Sequence, residues 1–437
     1  MFAPGHLGEL TQIIPFEMVD AALAATGAVQ SRTRLLPARV VVSLLLAGCL
    51  SAELGWRQVW HKLTAGLGDL PVACPSGSAL WQARARVGAE PLRWLSDLLR
   101  GPAVAVTTGP VRWCGLLVCA TGGTTMSVPD HDANLAVSTK QAGNHGGPGY
   151  PLLRMVALVA CGTRTVTDAA FGPTSCGEPG STRRLLRSLG SGMTVLLDRN
   201  FDNGTLTGQT AATQAHVLVR LKRNRKLPVL RRYPDGSYLS QTGKVRVRVV
   251  EAEISIATSA GRATGSYRLA TTLLDHRRCP AFALVTLYHQ RWETETAYLE
   301  LKSSILGGRV LRARTPAGIA QEVYALLVTY QILRIAITDA IQTTGGTDPD
   351  RGSFTIALNA ARDQLVQAAG VIADAVIDLV GAIGRRVLAN LMPDRRLRVT
   401  PRIVKRAISK YNARGPTINR RSYKATLNIN ILIPPDP

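Results

Sequence analysis

The sequence predicts an α/β fold with helical regions at both ends and a mostly β segment set into its second half. Three observations carry that prediction. Apolar residues recur at helical spacing through most of the first hundred positions. Short β-rich runs follow from about residue 116, joined by Gly-, Asn- and Pro-rich stretches. A further set of strand-like runs, dense in Lys and Arg, fills 216–272 before long helical stretches resume. These changes of texture divide the chain into 1–105, 106–215, 216–272, 273–342 and 343–437.

At 437 residues the chain exceeds one core of ordinary size. Hydrophobic residues make up 46 % and mean hydropathy is +0.08, which excludes a disordered chain. Aromatics are only 5 %, so Val, Leu, Ile and Ala must build the core.

The elements follow in order. Phe16–Thr26 and Pro37–Leu50 read as helices, with Pro37 suited to a first helical position. Pro75–Ser78 supplies a break and a cap, then Leu80–Val87 and Pro91–Leu99 give two shorter helices. Leu116–Ala120 is a buried-strand candidate, and residues 140–151 read as a loop. Leu152–Cys161 and Arg164–Phe171 suggest a hairpin around Gly162. Ser181–Ser188 reads as a helix, and Thr194–Leu197 as a strand ending at Asp198. In the basic segment, Val217–Leu221, Tyr238–Ser240, Val245–Val250 and Tyr267–Thr272 are strand-like, with a turn at Pro234–Ser237. Ala281–Leu306 and Pro316–Thr338 read as long helices, Thr343–Pro349 as a linker, and the remainder as a helical, Arg-rich tail.

Charge narrows the function. Lys and Arg number 52 against 29 acids, a net charge of +23. So basic a chain implies a polyanionic partner, nucleic acid ahead of an anionic membrane surface. Residues 216–270 hold 12 basic groups against 3 acids, and 380–437 hold 13 against 2. Localised excess favours docking faces over a generally basic surface. The seven cysteines form no CxxC pair and have no His at zinc spacing, so buried thiols in a reducing compartment are expected. The N-terminus lacks a secretory pattern, and the longest apolar run, Val40–Leu50, is about half a membrane span. A cytoplasmic, nucleoid-associated protein without a membrane partner is the expectation.

The segment Tyr288 to Lys302 is the most informative. Tyr288, Arg291, Glu295 and Lys302 are spaced 3, 4 and 7. On a regular helix they fall within an arc of about 60°. A carboxylate between two cations and a phenol suits metal-dependent phosphoryl transfer on DNA, the acid for a divalent ion and the cations for phosphates. A solvated i,i+4 ion pair accounts for the same spacing. Glu293 and Glu300 lie on roughly the opposite face. Asp198, at the tip of an apolar strand, is placed to hold a metal at a sheet edge, or simply opens a turn. A calcium loop from Asp198 through Asn200 and Asp202 fails, because Asn203 and Gln209 stand where Gly and Glu are required.

The pattern Tyr-x2-Arg-x3-Glu-x6-Lys resembles the signature of the insertion-element-four family of DDE transposases, and these four residues match every spacing. The flanks are similar too: Tyr267–Asp275 before the helix, Leu311–Pro316 with Gln321 and Glu322 after it. The resemblance runs from the N-terminal helices to about residue 425. It implies an RNase H-like core with a β insertion between the second acid and the third. It makes Asp198 the second catalytic acid and Glu295 the third metal ligand, with Mg²⁺ as cofactor and Mn²⁺ as substitute. Tyr288, Arg291 and Lys302 would then contact DNA near the cut phosphate.

One position departs from the family. Its first Asp opens an Asp-Gly-Thr-Thr-like segment, and here Gly122 stands at that place in Cys119–Thr125. Two acids would remain where two ions are expected. Asp130 or Asp132 could replace the lost ligand only if the chain turned back sharply after Gly122-Gly123. For DNA, the basic faces expected are Arg220, Lys222, Arg223 and Arg225, with Arg231, Arg232, Arg246 and Arg248 nearby. The tail adds Arg395, Arg396, Arg398, Arg402, Lys405, Arg406 and Lys410. Arg32, Arg34, Arg39, Arg84 and Arg86 are expected to meet the terminal inverted repeats. The expected function is cleavage and strand transfer at insertion-sequence ends by a homodimer, with target DNA as second partner. The alternative is a catalytically inactive end-binding repressor.

Overall fold

A computed structural model describes residues 7–32, 34–65, 72–101, 112–140, 149–259, 261–367, 380–393, 398–399 and 423–433. The chain opens with five helices: α1 (Phe16–Ala25), α2 (Ala38–Leu50), α3 (Trp56–Thr64), α4 (Gly77–Val87) and α5 (Glu90–Leu99). Every residue of α2 except Arg39 is buried, as its unbroken apolar run requires. Ser76 caps α4 by accepting the Ala79 N–H at 3.2 Å.

The core comes next: β1 (Arg112–Trp113), β2 (Leu116–Ser127), α6 (Asp132–Leu135), β3 (Leu152–Ala160), β4 (Val166–Pro173), α7 (Gly177–Arg183), β5 (Met193–Leu197), α8 (Gly204–Ala212) and β6 (His216–Arg220). β2, β3 and β4 form an antiparallel meander. β5 lies parallel to β2 on its other side, and β6 parallel to β5. Counting only these five, the order is third, second, first, fourth, fifth. That is the RNase H-like sheet, with the expected hairpin turning through 161–165.

β7 (Arg231–Arg232), β8 (Tyr238–Thr242), β9 (Val245–Thr258) and β10 (Gly261–Thr271) complete the basic segment. They do not form a separate body. β10 pairs with β6, Ala270 opposite Val219, so one sheet of 12 strands runs through core and insertion. The insertion also starts later than expected, since 216–220 is a core strand.

α9 (Ala281–Tyr288), α10 (Trp292–Leu299), α11 (Pro316–Gln342), α12 (Phe354–Gln367) and α13 (Gly381–Leu388) follow, then β11 (Arg398–Val399) and β12 (Tyr423–Ile431). The helix expected over 281–306 is interrupted twice, by a 3₁₀ turn at His289–Arg291 and a π turn at Glu300–Ile305. The tail is not wholly helical either. β12 lies antiparallel on β9 and widens the sheet. α1–α5 share one hydrophobic core with α11–α13, so the N-terminal helices are not packed apart from the rest. α11 is long and apolar enough to cross a membrane, but it is largely buried within this helical body. Cys49, Cys119, Cys161 and Cys279 are buried as expected, whereas Cys74, Cys114 and Cys176 are exposed.

Candidate active site

The parallel ladder of β2 and β5 ends with Ala120 opposite Leu196. Two residues on, Gly122 and Asp198 continue the same alternation and point to the same face. α9 and α10 cover that face. Val118, Ala120 and Leu196 pack against Leu284 and Leu287 of α9, and Tyr298 of α10 sits over Gly122.

Asp198 ends β5 and caps the next turn, its Oδ1 accepting the Arg199 N–H at 2.7 Å. Glu295, on the outer side of α10, is 44 % exposed and accepts from Arg291 Nη2 at 3.2 Å. Arg291 is mostly buried. Burial works against its charge, but Tyr288, Asp198 and Glu295 outweigh it and raise its pKa. One guanidinium thus lies within electrostatic reach of both acids. Lys302 donates to Thr124 Oγ1 at 3.1 Å, on the same face of β2 as Gly122.

Tyr288 is not placed to touch DNA. It is buried against the sheet, and its hydroxyl donates to the Leu197 carbonyl at 3.1 Å. Burial pushes the phenol above its ordinary range, against the pull of Arg291, so it stays neutral. It braces the backbone immediately before Asp198. Tyr288 is the last residue of α9, and the face it shares with Arg291 meets the sheet at this end of the helix.

Asp130 is not brought to the site. β2 continues straight through Gly122-Gly123 to Ser127, so the chain does not turn back. The five steps from Gly122 to Ser127 alone span about 16 Å. Asp130 is exposed and paired with Lys140 at 2.6 Å, while Asp132 starts the short α6.

The hidden side of α10 carries residues that sequence reasoning set aside. Glu293 and Glu300 are both buried. Arg164 Nε donates to Glu293 at 2.6 Å and its Nη1 to Glu300 at 3.3 Å. Arg164 also pairs with Asp350, and Arg334 of α11 with Glu300. The Tyr330 hydroxyl shares its one hydrogen between Glu300 Oε2 at 3.1 Å and the Arg164 carbonyl at 2.9 Å. Arg164 itself turns the β3–β4 hairpin in the left-handed region, φ +58°. This cluster ties the hairpin, α10, α11 and the 349–351 turn together. Only the opposite-face placement of Glu293 and Glu300 hinted at it.

The expected DNA contacts divide. Lys222 and Arg223 are exposed, whereas Arg220 stacks over Tyr267 at 3.9 Å and Arg225 donates to Thr242 at 2.8 Å. Arg231 and Arg246 are exposed and Arg232 half-buried. Arg248 is fully buried and bonded to the Cys279 carbonyl, which removes it from any DNA face. Among the N-terminal candidates Arg32, Arg34 and Arg86 are exposed, and Arg39 is paired with Asp20. Arg84 is packed on Trp56 at 4.0 Å, across the ring from Arg312. Burial, then the like charge of Arg312, lowers its pKa to about 10. Arg395, Arg396, Arg402, Lys405, Arg406, Lys410 and the side chain of Arg398 lie outside the described residues.

The donor chemistry suits a hard divalent cation only in part. Asp198 and Glu295 offer carboxylate oxygens, but no group of three His, Cys, Asp or Glu gathers among the described residues. That is one acid fewer than the family resemblance implies, with Gly122 at the place of the first.

The family described as "Insertion element 4 transposase N-terminal" matches residues 4–97, and "Transposase DDE domain" matches 114–332. The chain is 26 % identical over 420 residues to the transposase InsG of insertion sequence element IS4 from Escherichia coli K12, covering 93 % of this chain and 92 % of that one. A cryo-EM structure of a piggyBac transposase synaptic complex with hairpin DNA aligns at TM-score 0.47 and 10 % identity, over 88 % of this chain and 85 % of that one.

Proposed function

The chain belongs to the insertion element 4 family of DDE transposases, and from that premise we propose that it cleaves the ends of an insertion sequence and transfers the freed strand into target DNA, with its rate held down by Gly122. The observation that carries this reading is Arg291, drawn electrostatically by Asp198 and Glu295 at the open end of the parallel strands. When bound, a divalent ion held by Asp198 and Glu295 would supply positive charge at the reacting phosphate, Mg²⁺ being the expected ion. Arg291 and Lys302 hold the phosphates on either side of the cut. Tyr288 keeps Asp198 aimed through the Leu197 carbonyl. Lys222 and Arg223 extend the basic path along the DNA. Each end must stay held between cutting and joining, so two copies of the chain on paired ends form the working unit.

Gly122 also favours a second reading, a protein that occupies the ends without cutting them. Cleavage of inverted-repeat DNA with Mg²⁺ or Mn²⁺ separates the two. The first expects slow cutting by the natural chain and fast cutting by Gly122→Asp. The second expects cutting by Gly122→Asp alone. End binding that is weak and insensitive to salt would overturn both.

A further inference from the structure

Two of the seven cysteines meet beside the start of β2. Cys114 is exposed, Cys279 is buried, and both are free thiols. Cys114 sits in the turn between β1 and β2, and Cys279 in the loop between β10 and α9. Reciprocal hydrogen bonds hold the two loops together. Cys114 Sγ donates to the Arg278 carbonyl at 3.5 Å, and Arg278 Nη2 donates to the Cys114 carbonyl at 3.1 Å. The Arg278 carbonyl belongs to the peptide unit that leads into Cys279, so the Cys114 sulfur is one peptide away from that residue. The two thiols also interact directly, side chain to side chain. Trp113 packs against the apolar cluster that contains Cys279, which seats the turn on the core.

The turn itself favours other residues. Cys114 and Gly115 both have left-handed φ, +50° and +79°. A tight hairpin turn of that kind is ordinarily filled by Asn-Gly or Gly-Gly. A cysteine is strained there, and what it adds to the turn is a sulfur. Exposure divides the pair chemically. Solvent reaches Cys114 but not Cys279. Burial also keeps the Cys279 thiol protonated, its pKa pushed up to about 11.

We infer that Cys114 and Cys279 form a peroxide-sensitive dithiol that closes to a disulfide. The Cys114 sulfur attacks one oxygen of hydrogen peroxide, the O–O bond breaks, and water departs to leave a sulfenic acid. The Cys279 sulfur then attacks the Cys114 sulfur. The S–O bond breaks, and the hydroxyl leaves with the Cys279 hydrogen as a second water. Peroxide takes up the two electrons that the thiols lose. The bridge fastens the loop ahead of α9 to the first core hairpin, and Cys114 and Arg278 stand 164 positions apart in the chain. Closing so long a loop restricts the unfolded chain. The inference is independent of the proposed activity.

The test is treatment of the full chain, without DNA, with equimolar hydrogen peroxide. Two of the seven thiols should disappear. Peptide mapping without reductant should join the peptides that hold Cys114 and Cys279, with the loss of two hydrogens, and dithiothreitol should separate them again. The melting temperature should rise by about 5 °C on oxidation and fall back on reduction. Cys279→Ala should stop at a sulfenic acid on Cys114, trapped by dimedone. Cys114→Ser, a surface change that leaves the core intact, should keep Cys279 reduced and its melting temperature unmoved by peroxide. Oxidation of Cys114 in the natural chain with Cys279 left as a thiol would sink the inference. So would loss of Cys74 and Cys176 as fast as Cys114 with no Cys114–Cys279 link formed.

Discussion

On the outer side of α10, Glu295 meets Arg291 at 3.2 Å with its carboxylate 44 % exposed. On the inner side, Glu293 meets Arg164 at 2.6 Å with both groups almost wholly hidden. The same carboxylate–guanidinium pairing recurs on two sides of one helix. Water separates their uses. The outer pair is screened and loosely held, so Glu295 can exchange its partner for another cation. The inner pair has no solvent to fall back on and must keep its partner. Burial, more than residue type, decides which acid is available for chemistry.

Four substitutions test this contrast. Arg164→Met should cost most, about 3–5 kcal/mol in urea unfolding, because Glu293 and Asp350 would lose their pairing with Arg164 and only Glu300 would keep Arg334. A loss below about 1 kcal/mol would mean that the inner cluster holds nothing together. Tyr298→Phe comes next. The hydroxyl it removes accepts from the Ala157 N–H at 2.7 Å and donates to the Gly122 carbonyl. Stranding both should cost about 1–3 kcal/mol by the same measurement. Thr294→Val should raise stability by about 1 kcal/mol, since it deletes a hydroxyl with no partner. A loss instead would show that this oxygen is satisfied in solution. Glu295→Gln should change stability least, within about 0.5 kcal/mol. Built into Gly122→Asp, it should nevertheless slow end cleavage about a thousandfold. Equal cleavage with and without Glu295 would remove the outer face from the site.

Local pattern revealed elements better than it revealed their partners. The apolar run of α2, the hairpin around Gly162 and the strand ending at Asp198 were all legible, because side-chain periodicity records how each segment is buried. The four-residue signature pointed to a helical segment that the structure packs beside the end of β5. Its hydrogen-bond register was hidden, since 3₁₀ and π turns leave little trace in apolar spacing, and so was the strand end that covers Tyr288. Arg248 was misplaced for another reason. Alternation put it on one strand face with Arg246, but could not show that the Cys279 loop covers that end. Arg164 was invisible as the hub of an ion cluster, because its partners lie 129, 136 and 186 positions away in the chain. That β6 belongs to the core, and that β10 continues the sheet from it, is likewise a matter of long-range pairing.

The unbroken sheet has a mechanical consequence. Swinging the Lys222–Arg223 edge away from Asp198 would require tearing the rungs between β5, β6 and β10. On the proposed function the chain would work as a jig rather than a clamp: its gripping edge and its cutting corner would keep a fixed spacing, and the double helix laid across them would have to do the bending.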